Sequence, residues 1–419
     1  VLYNVFFFLI YAIEFIGLFF IVYNSTISLL GMFKPSKEKH EEEHPLETRF
    51  AILICAHNEE QVVGQLVQNL DSLDYPRNLY DIYVIADNCT DSTALVARQN
   101  GTLVLERHDP TKKSKGYGLE WAFEQLWNME ARGTTYDAVL VLDADNLVTP
   151  NTLKVLNQRI VSGAEVLQLY LDSKNPKDSW ISKSYAYAYW ATNRIYQLAR
   201  EKLGLSAQLG GTGMCFKTSV LKNIGWGTES LTEDLEYVAR YALATGKTVR
   251  WVHTAKTFDE KPLKMKASFV QRCRWARGHI DCSFKYGWPL LKMVFSRKGF
   301  IAFDIFLYLF NPSRIILTSI TMFSFLMAWL FDFGLIRHSW VWFTALIIYY
   351  IIPLIGLIME KKSKAILWTP QVYLFSISWV PIWFIGLLQR KKKTWNKTVH
   401  TRSLNDSELQ HLVGERETA

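Results

Sequence analysis

Apolar and polar positions divide the chain into three regimes. Residues 1–33 are almost continuously apolar, residues 34 to about 298 mix short apolar runs with amphipathic ones, and 299–389 return to long apolar runs. The run from Val5 to Tyr23 is long enough to cross a hydrocarbon core and no clear small-residue cleavage site follows it, so 1–33 predicts a transmembrane helix rather than a signal peptide. The charged, aperiodic stretch 34–49 predicts a linker. From there strands and helices alternate. Phe50 to Cys55, Tyr80 to Ala86, Thr102 to Glu106 and Ala138 to Leu142 are apolar runs of strand length, and between them lie helical patterns such as Val62, Val63, Leu66, Val67 and Leu70. This order predicts an α/β fold with a mostly parallel, doubly wound sheet over 50–262. Further strands are expected at Glu165 to Leu171 and Lys247 to His253, and helices around Ser182 to Leu203 and from Thr232 to near Gly246.

Beyond this unit, Lys264 to His279 is basic and aromatic, and Gly299 to Phe310 is apolar but holds Asp304. Both predict helices at a membrane interface within 263–312. Spans are expected at Arg314 to Leu330, Trp340 to Ile358 and Ile366 to Leu388, all within 313–389, followed by a polar tail over 390–419. A cytosolic domain followed by three spans would leave Arg390 to Lys393 outside, against the preference of basic residues for the inside. Either 366–388 is therefore re-entrant or 299–330 crosses twice. The chain opens on Val1, so a missing upstream piece is also expected.

Composition narrows the partners. The five cysteines show neither zinc-site spacing nor the density of a disulfide framework, which fits a reduced, cytosolic main domain. A net charge of +8, with basic residues crowded beside apolar segments and no recognisable nucleic-acid module, points to a membrane and a phosphorylated small molecule and not to nucleic acid. No GxGxxG follows the first strand, which argues against a dinucleotide-binding oxidoreductase.

The candidate chemistry sits at strand ends, where ligands of doubly wound sheets bind. Asp143-Ala144-Asp145 could bind a hard cation that bridges a diphosphate, or be an ordinary acidic strand end. Asp87 could accept a hydrogen bond from a base or ribose, or belong to an Asx-type turn with Asn88 and Asp91. Lys115-Gly116 could meet a phosphate, or continue the solvated basic loop of Lys112 and Lys113. Their conjunction favours a nucleoside diphosphate site. Further on, Thr232-Glu233-Asp234 places two carboxylates at a helix start, where Ser230 with Glu233 forms a capping-box pattern and Thr232 is an alternative N-cap. Gln271, Arg274 and Trp275 share one helical face, suited to a diphosphate and a sugar ring, or to lipid.

Taken in order, Ala56-His57-Asn58-Glu59, Asp87, Lys115-Gly116, Asp143-Ala144-Asp145, Thr232-Glu233-Asp234 and Gln271-Arg272-Cys273-Arg274-Trp275 resemble the membrane-bound family 2 glycosyltransferases, the group of the cellulose, chitin, hyaluronan and poly-N-acetylglucosamine synthases. The resemblance implies a GT-A fold, cytosolic in a multi-pass protein of the cell membrane, with a UDP-sugar donor and Mg or Mn on Asp145. It places Glu59 and Asp87 on the uridine, Lys115 and Asp143 on the donor, and Asp234 as general base beside Glu233. Gln271, Arg274, Trp275 and the turn glycine Gly213 would serve the diphosphate and the acceptor. The implied reaction is inverting and processive, extending a polysaccharide from UDP-glucose or UDP-N-acetylglucosamine and passing it across the membrane. Transfer of one sugar to a membrane lipid, and a catalytically silent nucleotide-binding transport or assembly subunit, stay open. Cys55 stands where the family often has Pro, Ala86 where it often has Asp, and Gly210-Gly211-Thr212-Gly213 replaces a more aromatic acceptor motif. With about four spans, a polymer channel would need a missing upstream span, a second copy of the chain or an accessory subunit.

Overall fold

A computed structural model describes residues 2–34, 44–310 and 339–392, together with residues 402, 404 and 408. The expected span Arg314 to Leu330 and most of the tail lie outside the described residues. An eight-stranded sheet forms the centre, in the order β3-β2-β1-β4-β7-β6-β8-β5. Its strands are β1 (Phe50–Ala56), β2 (Tyr80–Asp87), β3 (Leu103–Arg107), β4 (Ala138–Asp143), β5 (Leu147–Val148), β6 (Val166–Ser173), β7 (Met214–Lys217) and β8 (Arg250–Asp259).

The first half is parallel, as the alternation of strands and helices predicts: Phe50 of β1 lies opposite Tyr80 of β2 and Ala138 of β4. The second half corrects the expectation of a mostly parallel sheet. β7 runs antiparallel to both β4 and β6, β5 runs antiparallel to β8, and only β6 with β8 is parallel. The cause is local. β5 and β7 are two and four residues long, too short to give a period, so the run of residues does not announce them or their direction.

Helices cover both faces. α2 (Val63–Asp71), α3 (Thr93–Gln99) and α5 (Thr152–Val161) enclose a core of Ile52, Ile54, Leu66, Val84 and Leu156. α4 (Lys115–Glu130), α6 (Trp180–Thr192), α7 (Ala199–Leu203), α8 (Thr218–Ile224) and α9 (Glu233–Thr245) lie on the other face. There Leu53, Tyr83, Leu119, Val141, Tyr237 and Trp251 form the core. The aromatic helix expected around 182–203 is α6 and α7 joined by a π-helical turn, Asn193–Leu198.

The remaining helices are α1 (Leu2–Phe33), α10 (Met265–Met293), α11 (Gly299–Leu309), α12 (Ser339–Met359), α13 (Thr369–Ile377) and α14 (Trp379–Leu388). α1 approaches α7 so closely that a Cβ on Gly31 would lie 2.5 Å from Ala199. Asp304 of α11 ties the two together: it accepts from the Arg200 guanidinium at 2.9 Å and from the Tyr23 hydroxyl at 2.9 Å, with Arg200 and Asp304 both buried. Phe15–Phe33 and Ser363–Leu388 are long and apolar enough to cross a membrane, by length and composition. The second is broken into a 3-10 turn, α13 and α14, with Pro370 in the first turn of α13 and a break at Ser378.

Candidate active site

The carboxyl ends of β1, β2 and β4 open into one cavity of about 1410 Å³. The turns after β1 and β2 shape its first wall. Asn58 and Asn88 both take positive φ, 58° and 52°, a conformation asparagine tolerates better than most side chains. The turns are locked together, Thr90 N–H donating to Asn58 Oδ1 at 2.7 Å and the His57 ring donating from Nδ1 to the Asp87 carbonyl at 2.7 Å. Glu59 is buried in this wall, its backbone N–H donating to Thr93 Oγ1 at 2.8 Å. Asp87 accepts from Arg107 at 2.7 Å and from Asn88 Nδ2 at 2.8 Å. Burial raises the Asp87 pKa, and Arg107 only partly offsets it.

Lys115 is the first residue of α4, after the N-cap Ser114, and so not part of a solvated loop. Its ammonium donates to the Asp143 carboxylate and, at 2.5 Å, to the Gly211 carbonyl. Burial alone would lower its pKa, but Asp143, Cys55 and Glu233 outweigh burial and raise it, so the charge persists. Asp145 is buried and accepts from Glu260 N–H at 2.8 Å. Asp259, at the end of β8, lines the same wall; Lys261 donates to its Oδ2 at 2.7 Å, while Oδ1 is buried without a hydrogen-bond partner. Such hard oxygens suit Mg or Mn. No three metal-ligating side chains among the described residues converge to enclose an ion, so a bound diphosphate would have to complete the shell.

Glu233 and Asp234 begin α9 and face the cavity. Asp234 Oδ1 accepts its own helix's Leu235 N–H at 2.8 Å, and a Cβ on Gly211 would lie 3.6 Å from Oδ2. Burial raises the Asp234 pKa, and the Leu235 N–H, Lys115 and Arg274 partly hold it down. Burial and then the neighbouring Asp234 charge raise Glu233 as well. The capping box expected of Ser230 and Glu233 does not form. Thr232 is the N-cap but its side chain makes no capping bond; instead Glu236 accepts from the Glu229 and Ser230 N–H groups, both at 2.7 Å. The reason is steric. Thr232 lies against Gly278 of α10, its hydroxyl beside Cys282 Sγ at 3.8 Å, which turns the loop away from the N-cap geometry.

Gln271, Arg274 and Trp275 line the cavity together, as their spacing requires. Arg272, between them, points the other way: it is fully buried, donates to Ser378 Oγ at 2.7 Å and stacks over Phe375 and Trp379. Gly213 is placed differently from expectation. Gly210, Gly211 and Thr212 form the cavity wall, whereas Gly213, at φ 63°, is turned into the sheet, where a Cβ would lie 2.6 Å from Thr257 Oγ1. The far end is aromatic, with Trp379 and Trp383 stacked at 5.4 Å beside His279 and Tyr308. His279 donates from Nε2 to the Tyr308 carbonyl at 3.0 Å, and burial lowers its pKa to about 4, leaving it neutral.

Reading the sequence missed Arg107, Asp259, Trp379 and Trp383. Arg107 and Asp259 had a findable signal, since both are charged residues closing a strand. The two tryptophans sit in a segment whose apolar character reads only as a span.

A parallel half-sheet ending in acidic turns, completed by an antiparallel strand and a carboxylate helix, defines a GT-A type α/β domain. The sequence model of the "Glycosyltransferase like family 2" matches residues 48–278, and the chain belongs to that family. The probable glycosyltransferase YdaM of Bacillus subtilis is 28% identical over 279 residues, 63% of this chain and 62% of that protein. A beta-monoglucosyldiacylglycerol synthase of Nostoc is 29% identical over 58% of this chain and 51% of its own length. The poly-beta-1,6-N-acetyl-D-glucosamine synthase of Staphylococcus epidermidis is 22% identical over 60% of this chain and 59% of its own. The chain thus spans between half and two thirds of the length of these relatives. Among solved structures, a mannosyltransferase of Pyrobaculum calidifontis in complex with GDP-Man and Mn2+ has the same fold, with a TM-score of 0.54 at 15% identity, covering 91% of this chain and all of that one.

Proposed function

We propose that this chain is an inverting, metal-dependent β-glycosyltransferase of a membrane, transferring hexose units from a UDP-sugar, UDP-glucose or UDP-N-acetylglucosamine, to a growing polysaccharide that it passes outward. The reading rests on one observation: the cavity runs unbroken from Asp87, past Asp234, to Trp379 and Trp383. Its volume exceeds the roughly 300–1,000 Å³ typical of a single small-ligand site, leaving room for a donor and an acceptor together. Trp379 and Trp383 line its far end, where apolar ring surface could meet pyranose rings leaving the carboxylate helix.

In this reading Glu59 and Asp87 hold the uridine, while Lys115 meets the diphosphate and keeps Asp143 in place. Asp145 and Asp143, with Asp259 beside them, would hold Mg or Mn, which when bound neutralises diphosphate charge. Asp234 takes the proton of the acceptor hydroxyl as that oxygen attacks the anomeric carbon from the face opposite the leaving UDP, so the C–O bond to UDP breaks as the new one forms and the configuration inverts. Glu233 stands beside it, its pKa raised by burial and by the Asp234 charge. Arg274 and Gln271 steady that diphosphate, and Trp275 stacks on the acceptor. The main domain would be cytosolic, with α1 and α12 to α14 in the cell membrane, and a second copy or an accessory subunit could complete a channel.

A second reading is favoured by the 29% identity to a beta-monoglucosyldiacylglycerol synthase: transfer of a single sugar to a membrane lipid. Incubation of the purified protein in lipid with radiolabelled UDP-glucose or UDP-N-acetylglucosamine separates the two. High-molecular-weight product supports extension, and label confined to a solvent-extractable glycolipid overturns it in favour of the second reading.

A further inference from the structure

We infer that Glu236, which does not reach the cavity, is a positioning residue that fixes Asp234 against the Gln271, Arg274 and Trp275 face by clamping the 229–232 loop between α9 and α10. The inference deepens the proposed function, since it takes Asp234 to be the base.

Glu236 lies two residues beyond Asp234, about 200° around the helix, so it points away from the reacting centre. It is fully buried, and both of its oxygens are engaged twice. Oε2 accepts from the Glu229 and Ser230 N–H groups, each at 2.7 Å. Oε1 accepts from Lys285 Nζ and the Tyr286 hydroxyl, each at 2.7 Å. One carboxylate therefore joins three pieces of backbone: its own helix, the loop that leads into Glu233 and Asp234, and α10, the helix that carries Gln271, Arg274 and Trp275.

The loop has little freedom elsewhere. Ser230 Oγ donates to the Gly278 carbonyl at 3.2 Å, and a Cβ on Gly278 would lie 2.6 to 2.8 Å from three atoms of Thr232. With the side-chain cap absent, Glu236 supplies the charged acceptor for orphan N–H groups just ahead of α9. Buried carboxylates are retained only where such bonds offset desolvation. Here they more than do so: burial raises the Glu236 pKa, but Lys285, Tyr286 and the two N–H groups hold it below the usual range. A carboxylate held ionised so far from any ligand, and bonded to both walls of the site, serves the geometry of the site.

The test is a double-mutant cycle on the full-length chain in lipid, read as UDP release from UDP-glucose or UDP-N-acetylglucosamine, whichever turns over. Glu236→Gln keeps the shape but places an amide N–H against one pair of donors. It should lower kcat on the order of 10- to 100-fold, the cost of a small misplacement of a reacting group, with donor KM within about threefold. Added to Asp234→Asn it should lower the residual rate no further. Tyr286→Phe removes one of the four bonds and keeps the charge; it should reproduce the kcat effect at smaller size and carries the test if Glu236→Gln fails to fold. Wild-type kcat in the folded variants, a loss confined to KM, or full additivity with Asp234→Asn overturns the positioning role. If Asp234→Asn itself releases UDP as fast as wild type, the base assignment falls instead, and the two failures are told apart within one data set.

Discussion

Asp234 and Glu233 illustrate how one residue's environment decides its chemistry. Both carboxyls are buried at a helix start, and burial raises both pKa values, with Lys115 and Arg274 supplying the opposing charge. A base must be ionised to accept a proton, so the rate of transfer should fall as the pH drops through the raised Asp234 pKa. The acid limb of a kcat profile is therefore expected above the roughly 3.9 of an ordinary aspartate. Arg274→Met removes a charge that holds the pKa down and should move that limb to higher pH; an unmoved limb in steady-state UDP release would show that Asp234 does not set it. Asp234→Asn should lose on the order of 100- to 10,000-fold in kcat with donor affinity retained. That size separates a base from a binding group.

At the scale of elements the site is an interlock of α9 and α10. Arg272 and Gly278 show what the α10 sequence provides beyond its cavity face. Arg272 stacks on Phe375 at 4.1 Å and anchors α10 to α13 and to Ser378, while Gly278 lets Thr232 come within contact distance. Gly278→Val has no room, because the clashing atoms include the Thr232 backbone nitrogen and not only a side chain tip. Overpacking of this kind costs roughly 1–3 kcal/mol and should lower the melting temperature measured in detergent. It should also slow transfer, since the 229–232 loop must move; a variant with unchanged melting temperature and rate would contradict the close packing of the two helices.

At the scale of the molecule, the buried Arg200 and Asp304 pair joins the catalytic unit to α1 and α11. Asp304→Leu strands a buried guanidinium, which costs about 3–5 kcal/mol, whereas Arg200→Met with Asp304→Leu restores an apolar contact at far smaller cost. Denaturant or thermal unfolding of the single and double variants measures the difference. Limited proteolysis should find the single variant cut between α1 and β1 faster than wild type. Equal destabilisation by the single and the double variant would show that the pair does not couple these elements.

Much of this was legible in the linear chain wherever the signal was local. Continuous apolar runs fixed β1, β2 and β4, because strands buried on both faces need no polar alternation, and the more exposed edge strand β3 followed from the alternation of strands and helices. The order of Asp87, Lys115, Asp143, Asp145, Glu233, Asp234, Gln271, Arg274 and Trp275 sufficed to gather the residues that do line one cavity. Their individual roles in transfer remain the proposal tested above. What local pattern could not supply was pairing between distant segments. β5 and β7 are too short to announce themselves, and only contact with β8, β4 and β6 makes them strands and the sheet mixed. Gly213 entered the site only through the family resemblance, and whether its backbone faces the cavity or the sheet depends on Thr257, 44 residues away. The helix start at Thr232 is the same case. Its sequence spells a capping box, and the approach of α10 through Gly278 replaces that cap with Glu236, because a buried carboxylate bonded by four donors outweighs a local bond that the packing leaves no room to make.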